Sequence, residues 1–457
     1  MRFDFSDVPL RRRAFSEKPM SFIDPALNNL LSAVIDLVAI ETGDRHSRDH
    51  WQRKQFENLL QHAASRSSFW RKRIETKNTN DISLSSLPIL IRSDLTRQFE
   101  TEGSLLPYSG TIRTTKHATS GSSGAPAQFY VSEMNGHYNN VRSLAQFFIE
   151  GRDLTLNKTV FKPSPRIRTE GGFVVEKATG WLGSLNSLFE GGIFKKISHS
   201  RPDRGQLFKE LTKDPIGYLV AQPSLVESLF YDGDISFLCE NGTKMFIPTG
   251  EEADKSLRDK FVAAGIPVRA NYTSEEVGLI AAECKDCPEN FHVAESNVIV
   301  EVDNRESVVV GGNKLGRVLV THLHSYATPF VRYDIGDFAT LSEACGCGHD
   351  GPVLSNIHGR KKRLIKHSDG SVSRFGFGVG RILEIVKCDD HRVRQTALDT
   401  IEVEIGGVDQ LSADQMAALK SLFKDLLGDE FQIHINAVRT INWGDAAKRL
   451  SFHSEVM

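Results

Sequence analysis

A short loop rich in hydroxyl groups and glycines is the first feature of this chain that could bind a ligand. It reads Thr119-Ser120-Gly121-Ser122-Ser123-Gly124 and carries no bulky side chain. Glycine lets backbone N–H groups approach an anion closely, and serine and threonine hydroxyls add donors, so the composition suits a phosphate site. The spacing is not that of a Walker-type phosphate loop. A Ser/Gly-rich stretch alone is more often a flexible turn, so the prediction depends on segments downstream.

Three further segments and a lysine near the C-terminus follow the loop in a fixed order. They are 272–278 (YTSEEVG), 332–337 (RYDIGD), 359–363 (GRKKR) and Lys448. With the loop, this order resembles the adenylate-forming superfamily of acyl-CoA synthetases and related ligases. The nearest resemblance is to the phenylacetate–CoA ligase and capsule-biosynthesis (CapK-like) branch. Segments 84–95 and 247–268 also resemble that branch, and the resemblance runs roughly from residue 50 to the end of the chain.

The resemblance implies an AMP-forming ligase. Such an enzyme uses ATP and Mg²⁺ to activate a carboxylic acid, here expected to be small and aromatic, as an acyl-adenylate with release of pyrophosphate. It then passes the acyl group to the thiol of coenzyme A and releases AMP. Two alternatives stay open: an acceptor that is an amine or a carrier-protein thiol in a biosynthetic pathway, and a catalytically degenerate nucleotide-binding protein on the same fold.

The resemblance also assigns roles to individual residues. Loop 119–124 would hold the β- and γ-phosphates, and Glu276 would bind Mg²⁺, which prefers oxygen ligands. Asp337 would accept hydrogen bonds from both ribose hydroxyls, a geometry that a carboxylate allows. Arg360 would contact ribose and phosphate, and Lys448 would reach the reacting carboxylate and the α-phosphate. The remaining predicted nucleotide-site residues are Gly250, Glu251, Tyr272, Thr273 and Glu275.

Three departures from the family pattern support the degenerate alternative. Thr273 replaces a glycine, and Glu275 replaces the threonine or serine that would touch the α-phosphate. A carboxylate there repels phosphate unless it binds metal or turns away. The lysine that often follows the phosphate loop is also absent, since Ala125 and Pro126 come next. Against this alternative stand four retained residues: Glu276, Asp337, Arg360 and Lys448.

Four of the six cysteines form two short pairs, Cys284 with Cys287 and Cys345 with Cys347. Paired cysteines at such spacing are typical of a structural zinc site with thiolate ligands. His292 or His349 could replace one cysteine, and reduced loop thiols without metal are the alternative. Four protein ligands would leave no open coordination position, so the predicted role is structural.

Bulk composition restricts the class of protein. The 457 residues carry a formal net charge of −2, which gives no indication of a nucleic-acid partner. No apolar run is long enough to predict a membrane span, and the basic N-terminal segment lacks the apolar stretch of a secretory signal. Six cysteines in a chain of this length do not indicate a disulfide framework. We therefore expect a cytoplasmic protein, and the resemblance allows a homodimer.

The predicted fold class is α/β. Residues 1–361 are expected to form a large adenylation domain with mainly parallel sheets and a small antiparallel subdomain at 296–341. Residues 362–457 are expected to form a small, mobile α+β domain after a hinge near Lys362. In that domain Ser412 and Gln415 match a capping box, and Gly428 is placed to end the helix.

Overall fold

The computed structural model describes residues 25–74, 82–95, 113–118, 127–164, 167, 169, 171–200, 202–230, 235–359, 363–375, 380–443 and 452–457. Loop 119–124, Arg360, the hinge at Lys362 and Lys448 lie outside the described residues. Within the described residues, no helix has the length and apolar character needed to cross a bilayer.

The N-terminal part consists of helices and one hairpin. Its elements are α1 (Pro25–Glu41), α2 (Arg45–Arg66), α3 (Ser68–Ile74), β1 (Thr114–Ala118), β2 (Gln128–Ser132) and α4 (Glu133–Ile149). Asp44 caps the N-terminus of helix α2, and its carboxylate accepts a hydrogen bond from the backbone N–H of Ser47 at 2.7 Å. The antiparallel strands β1 and β2 flank residues 119–127, so the predicted phosphate loop connects the two strands of this hairpin.

A five-stranded sheet forms the centre of the next segment. It contains β3 (Lys158–Pro163), β4 (Phe173–Thr179), β5 (Ile193–His199), β6 (Tyr218–Ala221) and β7 (Met245–Pro248), in the order β4-β5-β3-β6-β7. All neighbouring strands run parallel except the antiparallel edge strand β4. The helices of this segment are α5 (Arg204–Leu211), α6 (Pro223–Leu229), α7 (Ser236–Glu240) and α8 (Lys255–Ala263).

A nine-stranded sheet follows, and every pairing in it is antiparallel except one parallel bridge between β11 and β16. Its strands are β8 (Asn271–Ser274), β9 (Gly278–Glu283), β10 (Phe291–Val293), β11 (Val298–Val310), β12 (Asn313–His322), β13 (Tyr333–Ser342), β14 (Val353–His358), β15 (Leu364–Lys366) and β16 (Val372–Arg374). The spatial order is β15-β16-β11-β12-β13-β14-β10-β9-β8. Antiparallel structure therefore extends well beyond the predicted range 296–341.

The last segment is a small α+β unit with its own apolar core. It contains α9 (Gly380–Leu383), β17 (Asp390–Ala397), β18 (Thr400–Gly406), α10 (Ala413–Leu427), β19 (Gln432–Val438) and β20 (Phe452–Ser454). The predicted capping box between Ser412 and Gln415 is present, and Gly428 ends α10 with φ of 109°. Leu419, Leu422 and Phe423 of α10 pack into this core. The α/β fold class is thus confirmed.

Candidate active site

The predicted nucleotide-site residues Gly250 and Glu251 lie on the side of the five-stranded sheet where β6 and β7 have their carboxyl ends. Ligands of open α/β sheets bind outside this edge, where the strands lead into loops. The Glu251 carboxylate follows β7 and accepts hydrogen bonds from Nε2 of Gln222 and from the backbone N–H of Ser224, each at 3.2 Å. Gly250 has φ of 75°, a left-handed conformation that favours glycine. The Glu251 side chain thus connects the segment that follows β7 to the segment that follows β6.

The predicted magnesium ligand lies in the turn between β8 and β9. Glu276 lies in this turn and is buried, and Val277 beside it is fully buried in the main core. The turn is closed by a hydrogen bond from the backbone N–H of Val277 to the Ser274 hydroxyl at 3.3 Å. Thr273 and Glu275 are exposed. The two residues that depart from the family pattern therefore project to solvent, while Glu276 projects into the protein.

Asp337, the predicted ribose ligand, lies within β13. The Asp334 carboxylate accepts the backbone N–H of Gly336 at 2.9 Å, and Gly336 has φ of 89°. This turn-like geometry inside the strand coincides with a shift in strand register between β12 and β13. Asp337 is half-buried, and its Oδ2 accepts a hydrogen bond from the Tyr272 hydroxyl at 2.8 Å.

The bond from Tyr272 to Asp337 shows that the large sheet is strongly curved. Three strands separate β8 from β13 in the sheet order, so in a flat sheet the two strands would lie about 19 Å apart. Two side chains cannot span that distance with a 2.8 Å contact between their ends. The sheet therefore curls and brings the 272–278 and 332–337 segments together.

The electrostatics of Tyr272 reflect this convergence. Burial of its hydroxyl is the main cause that raises the pKa of Tyr272 well above its ordinary value, and the negative charges of Asp337, Glu276 and Asp334 raise it further. Tyr272 therefore stays a protonated hydrogen-bond donor throughout the physiological pH range. The same interactions indicate that three carboxylates lie close enough to act on one phenol.

Tyr333 is a site residue to which the sequence analysis assigned no role. Its hydroxyl donates to Oε1 of Glu276 at 3.3 Å, and its side chain is almost fully buried. Arg332 before it has φ of 50°, and Leu90 forms backbone hydrogen bonds to the residues on either side of Tyr333. Tyr333 belongs to the RYDIGD segment that the sequence already indicated. The resemblance, however, assigned a role only to the last aspartate of that segment, Asp337.

The two cysteine pairs lie close together, and His292, the predicted possible substitute, lies beside them. Ligand atoms of Cys284, His292, Cys345 and Cys347 all lie within 4.8 Å of one another. Tetrahedral zinc with sulfur at about 2.3 Å holds its ligand atoms about 3.8 Å apart, so these four soft donors fit such an ion. The distance between Cys347 Sγ and His292 Nε2 is 3.5 Å. His292 belongs to this group and Cys287 does not, although the Cys287 thiol also interacts with Cys284 and Cys345.

A buried ion-pair network joins the N-terminal helices to the cysteine region. Arg48 of α2 contacts Glu295 at 2.8 Å and also pairs with Asp350, three residues after Cys347. Glu295 also pairs with the half-exposed Arg45 at 3.2 Å. Burial raises the pKa of Glu295 to about 7, against the opposing effect of the two arginines. The network fixes α2 against the turn that precedes β11.

Comparison with known proteins identifies the fold. No family model and no curated protein matches the sequence. Among solved structures, the chain is similar to 2-hydroxyisobutyryl-CoA ligase in the postadenylation state with 2-HIB-AMP, with a TM-score of 0.64, 17% identity and 91% of each chain covered. The same ligase with 2-HIB-AMP and CoA in the thioesterification state gives a TM-score of 0.54, 18% identity and 92% coverage of each chain. The chain has the fold of the adenylate-forming ligases, which the motif order predicted.

Proposed function

We propose that this protein activates a carboxylic acid with ATP as an acyl-adenylate and transfers the acyl group to an acceptor. The observation that carries the proposal is the convergence of Tyr272, Glu276 and Asp337 on a fold shared with adenylate-forming ligases over 91% of the chain. The resemblance assigned magnesium to Glu276 and ribose to Asp337, and it placed Tyr272 among the nucleotide-site residues. The exposure of Glu275 supports an active enzyme. Its carboxylate projects to solvent, whereas that of Glu276 projects into the protein.

In this proposal each residue acts on the nucleotide through an ordinary physical interaction. The Asp337 carboxylate accepts hydrogen bonds from the ribose diol, and the ring of Tyr272 packs near the adenine. Glu276 would hold Mg²⁺, which supplies charge neutralisation as pyrophosphate leaves. Loop 119–124, Arg360 and Lys448 would add donors and positive charge around the phosphates and the reacting carboxylate.

Coenzyme A is the acceptor we propose first, and a small aromatic acid is the proposed substrate, both from the resemblance to the phenylacetate–CoA ligase branch. The thioesterification complex of 2-hydroxyisobutyryl-CoA ligase supports a thiol acceptor on this fold. An amine or carrier-protein acceptor is distinguished by measuring AMP release with each acceptor in turn. AMP release that depends on coenzyme A supports the first acceptor, and release only with an amine or carrier protein supports the second.

We further propose that the group of Cys284, His292, Cys345 and Cys347 binds one structural zinc ion. The donors are two buried and two half-buried side chains, from strand β10, from the loop that follows β9 and from the loop between β13 and β14. Four protein ligands complete a tetrahedral shell, so zinc there would tie these loops together rather than act on substrate.

ATP–pyrophosphate exchange with a panel of aromatic and aliphatic acids, without acceptor, tests the proposed function. Exchange with one class of acid establishes adenylation and identifies that class. A folded protein that binds ATP but exchanges with no acid would favour the degenerate nucleotide-binding alternative.

A further inference from the structure

Two tyrosine–carboxylate hydrogen bonds connect the 272–278 and 332–337 segments in opposite directions. Tyr272 of the first segment donates to Asp337 of the second, at 2.8 Å. Tyr333 of the second segment donates to Glu276 of the first, at 3.3 Å. Each segment thus supplies one phenol and one carboxylate, and each carboxylate is held by the other segment.

Tyr333 is held in place by ring packing and by backbone hydrogen bonds on either side of it. Its side chain is only 2% exposed, and its ring packs edge-on against Phe330 with centroids 5.2 Å apart. Its backbone is fixed from the N-terminal part of the chain, because Leu90 N–H donates to the Arg332 carbonyl at 3.0 Å and the Leu90 carbonyl accepts the Asp334 N–H at 2.9 Å. A donor that cannot move restricts the position of the group that accepts from it.

The group whose position Tyr333 restricts is the Glu276 carboxylate. It lies in the short turn between β8 and β9, and a glutamate side chain has several staggered rotamers among which a fixed contact can select. A hydrogen bond to Oε1 selects one orientation and leaves Oε2 as a ligand atom for a cation. Carboxylate ligands of a metal are typically oriented by a second hydrogen bond in this way.

We infer that Tyr333 is a positioning residue for the magnesium ligand Glu276, and that Tyr272 positions the ribose ligand Asp337 in the same manner. This inference rests on the proposed function. Both bonds connect the same two segments, but each one holds a different carboxylate. Removing the Tyr333 hydroxyl should mainly weaken cation binding at Glu276. Removing the Tyr272 hydroxyl should mainly weaken ribose binding at Asp337.

Tyr333→Phe tests the metal half of the inference, since it removes one oxygen and keeps the ring. The first readout is Mn²⁺ binding, followed by electron paramagnetic resonance in the presence of a non-hydrolysable ATP analogue. We expect Mn²⁺ affinity to fall by about tenfold, the size of one lost hydrogen bond to a charged group. The second is the Mg²⁺ concentration at half-maximal ATP–pyrophosphate exchange, which we expect to rise by a similar factor. Analogue affinity without metal should stay within about twofold.

Tyr272→Phe should show the opposite pattern, with weaker binding of the analogue and of adenosine and an unchanged Mn²⁺ affinity. Tyr218→Phe is the matched control. Tyr218 is a buried tyrosine at the start of β6, the opposite end of that strand from Gln222 and Glu251, and removing its hydroxyl should change the binding of neither ligand. If Tyr333→Phe merely loosens the fold, both ligands weaken together, as in any destabilised variant, and the inference is overturned.

A double variant separates positioning from a direct role. In a Glu276→Gln background the ligand charge is gone, so adding Tyr333→Phe should cause no further loss of Mn²⁺ affinity. A wild-type protein that binds the analogue and Mn²⁺ but whose Tyr333→Phe variant binds Mn²⁺ equally well would overturn the inference and leave the proposed function intact. A wild-type protein that binds neither ligand would overturn both.

Discussion

Arg48 and Glu295 form an ion pair at 2.8 Å between two almost fully buried side chains, one from α2 and one from the turn before β11. Removing one partner of such a pair leaves an uncompensated buried charge. We predict that Arg48→Met lowers the free energy of unfolding by about 3 kcal/mol in chemical denaturation. Arg45→Met is the control: this residue pairs with the same carboxylate but is 39% exposed, and we expect a loss below about 1 kcal/mol.

The destabilisation by Arg48→Met should depend on pH. Burial already raises the pKa of Glu295 to about 7, and losing the guanidinium raises it further. A carboxyl whose pKa is higher in the folded state than in the unfolded state loses stability as the pH rises through that interval. The Arg48→Met variant should therefore be more destabilised at pH 8 than at pH 6. An equal loss at both values would argue against an uncompensated Glu295 carboxylate.

Two buried histidines predict a loss of stability in mild acid. Burial lowers the pKa of His322 to about 3 and that of His324 to about 4. The unfolded chain takes up protons below about pH 6.5 that these folded rings do not, so stability should fall by ~1.4 kcal/mol per pH unit per histidine as the pH decreases. Within the described residues, both ring nitrogens of His322 lack a hydrogen-bond partner.

His322→Leu should therefore flatten the decline measured by denaturant unfolding between pH 6.5 and 4.5. His50→Leu, at an exposed histidine of α2, should leave the slope unchanged. A His322→Leu variant with the wild-type slope would show that this histidine is protonated in the folded protein.

Neighbouring glutamates provide a matched pair for the nucleotide site. Glu276→Gln and Glu275→Gln remove the same charge one residue apart, but Glu276 is buried and Glu275 is exposed. We predict that Glu276→Gln lowers ATP–pyrophosphate exchange on the order of 100-fold, since a metal ligand contributes several kcal/mol. Glu275→Gln should stay within about threefold. Similar losses in the two variants would remove the special role of Glu276.

The cysteine region predicts a specific ligand set for zinc. We expect about one zinc ion per chain by elemental analysis. His292→Ala should weaken zinc binding at least ~100-fold in competition with a chelating dye, because it removes a ligand. Cys287→Ser should retain zinc, since Cys287 lies outside the close group, and the exposed Cys239→Ser is the control. The reverse order, with Cys287 essential and His292 dispensable, would restore the ligand set of four cysteines.

The sequence was most informative where the signal is local. The capping box from Ser412 to Gln415 spans four residues, and both it and the terminating Gly428 lie where predicted. The cysteine spacing likewise predicted that the two pairs converge. That His292 joins the cysteines depends on the strand register that places His292 of β10 opposite Val353 of β14. No local sequence pattern contains that register.

The extent of the large sheet was harder to predict, because many of its strands are too short for alternation to be detected. β10, β15 and β16 have only three residues each. The tyrosine–carboxylate bonds join residues 65 and 57 positions apart in the chain. Motif order indicated that these segments share a site, but only the curvature of the sheet pairs each phenol with a carboxylate.

In the proposed reaction the acid's carboxylate attacks the α-phosphate of ATP. Its most direct test uses the acid identified by the exchange panel, labelled with oxygen-18 in the carboxylate, and mass analysis of the nucleotide product. Acyl-adenylate formation leaves one labelled oxygen on AMP after the acyl group is transferred, and this is the result we predict. Unlabelled AMP, or ADP as the nucleotide product, would contradict adenylation.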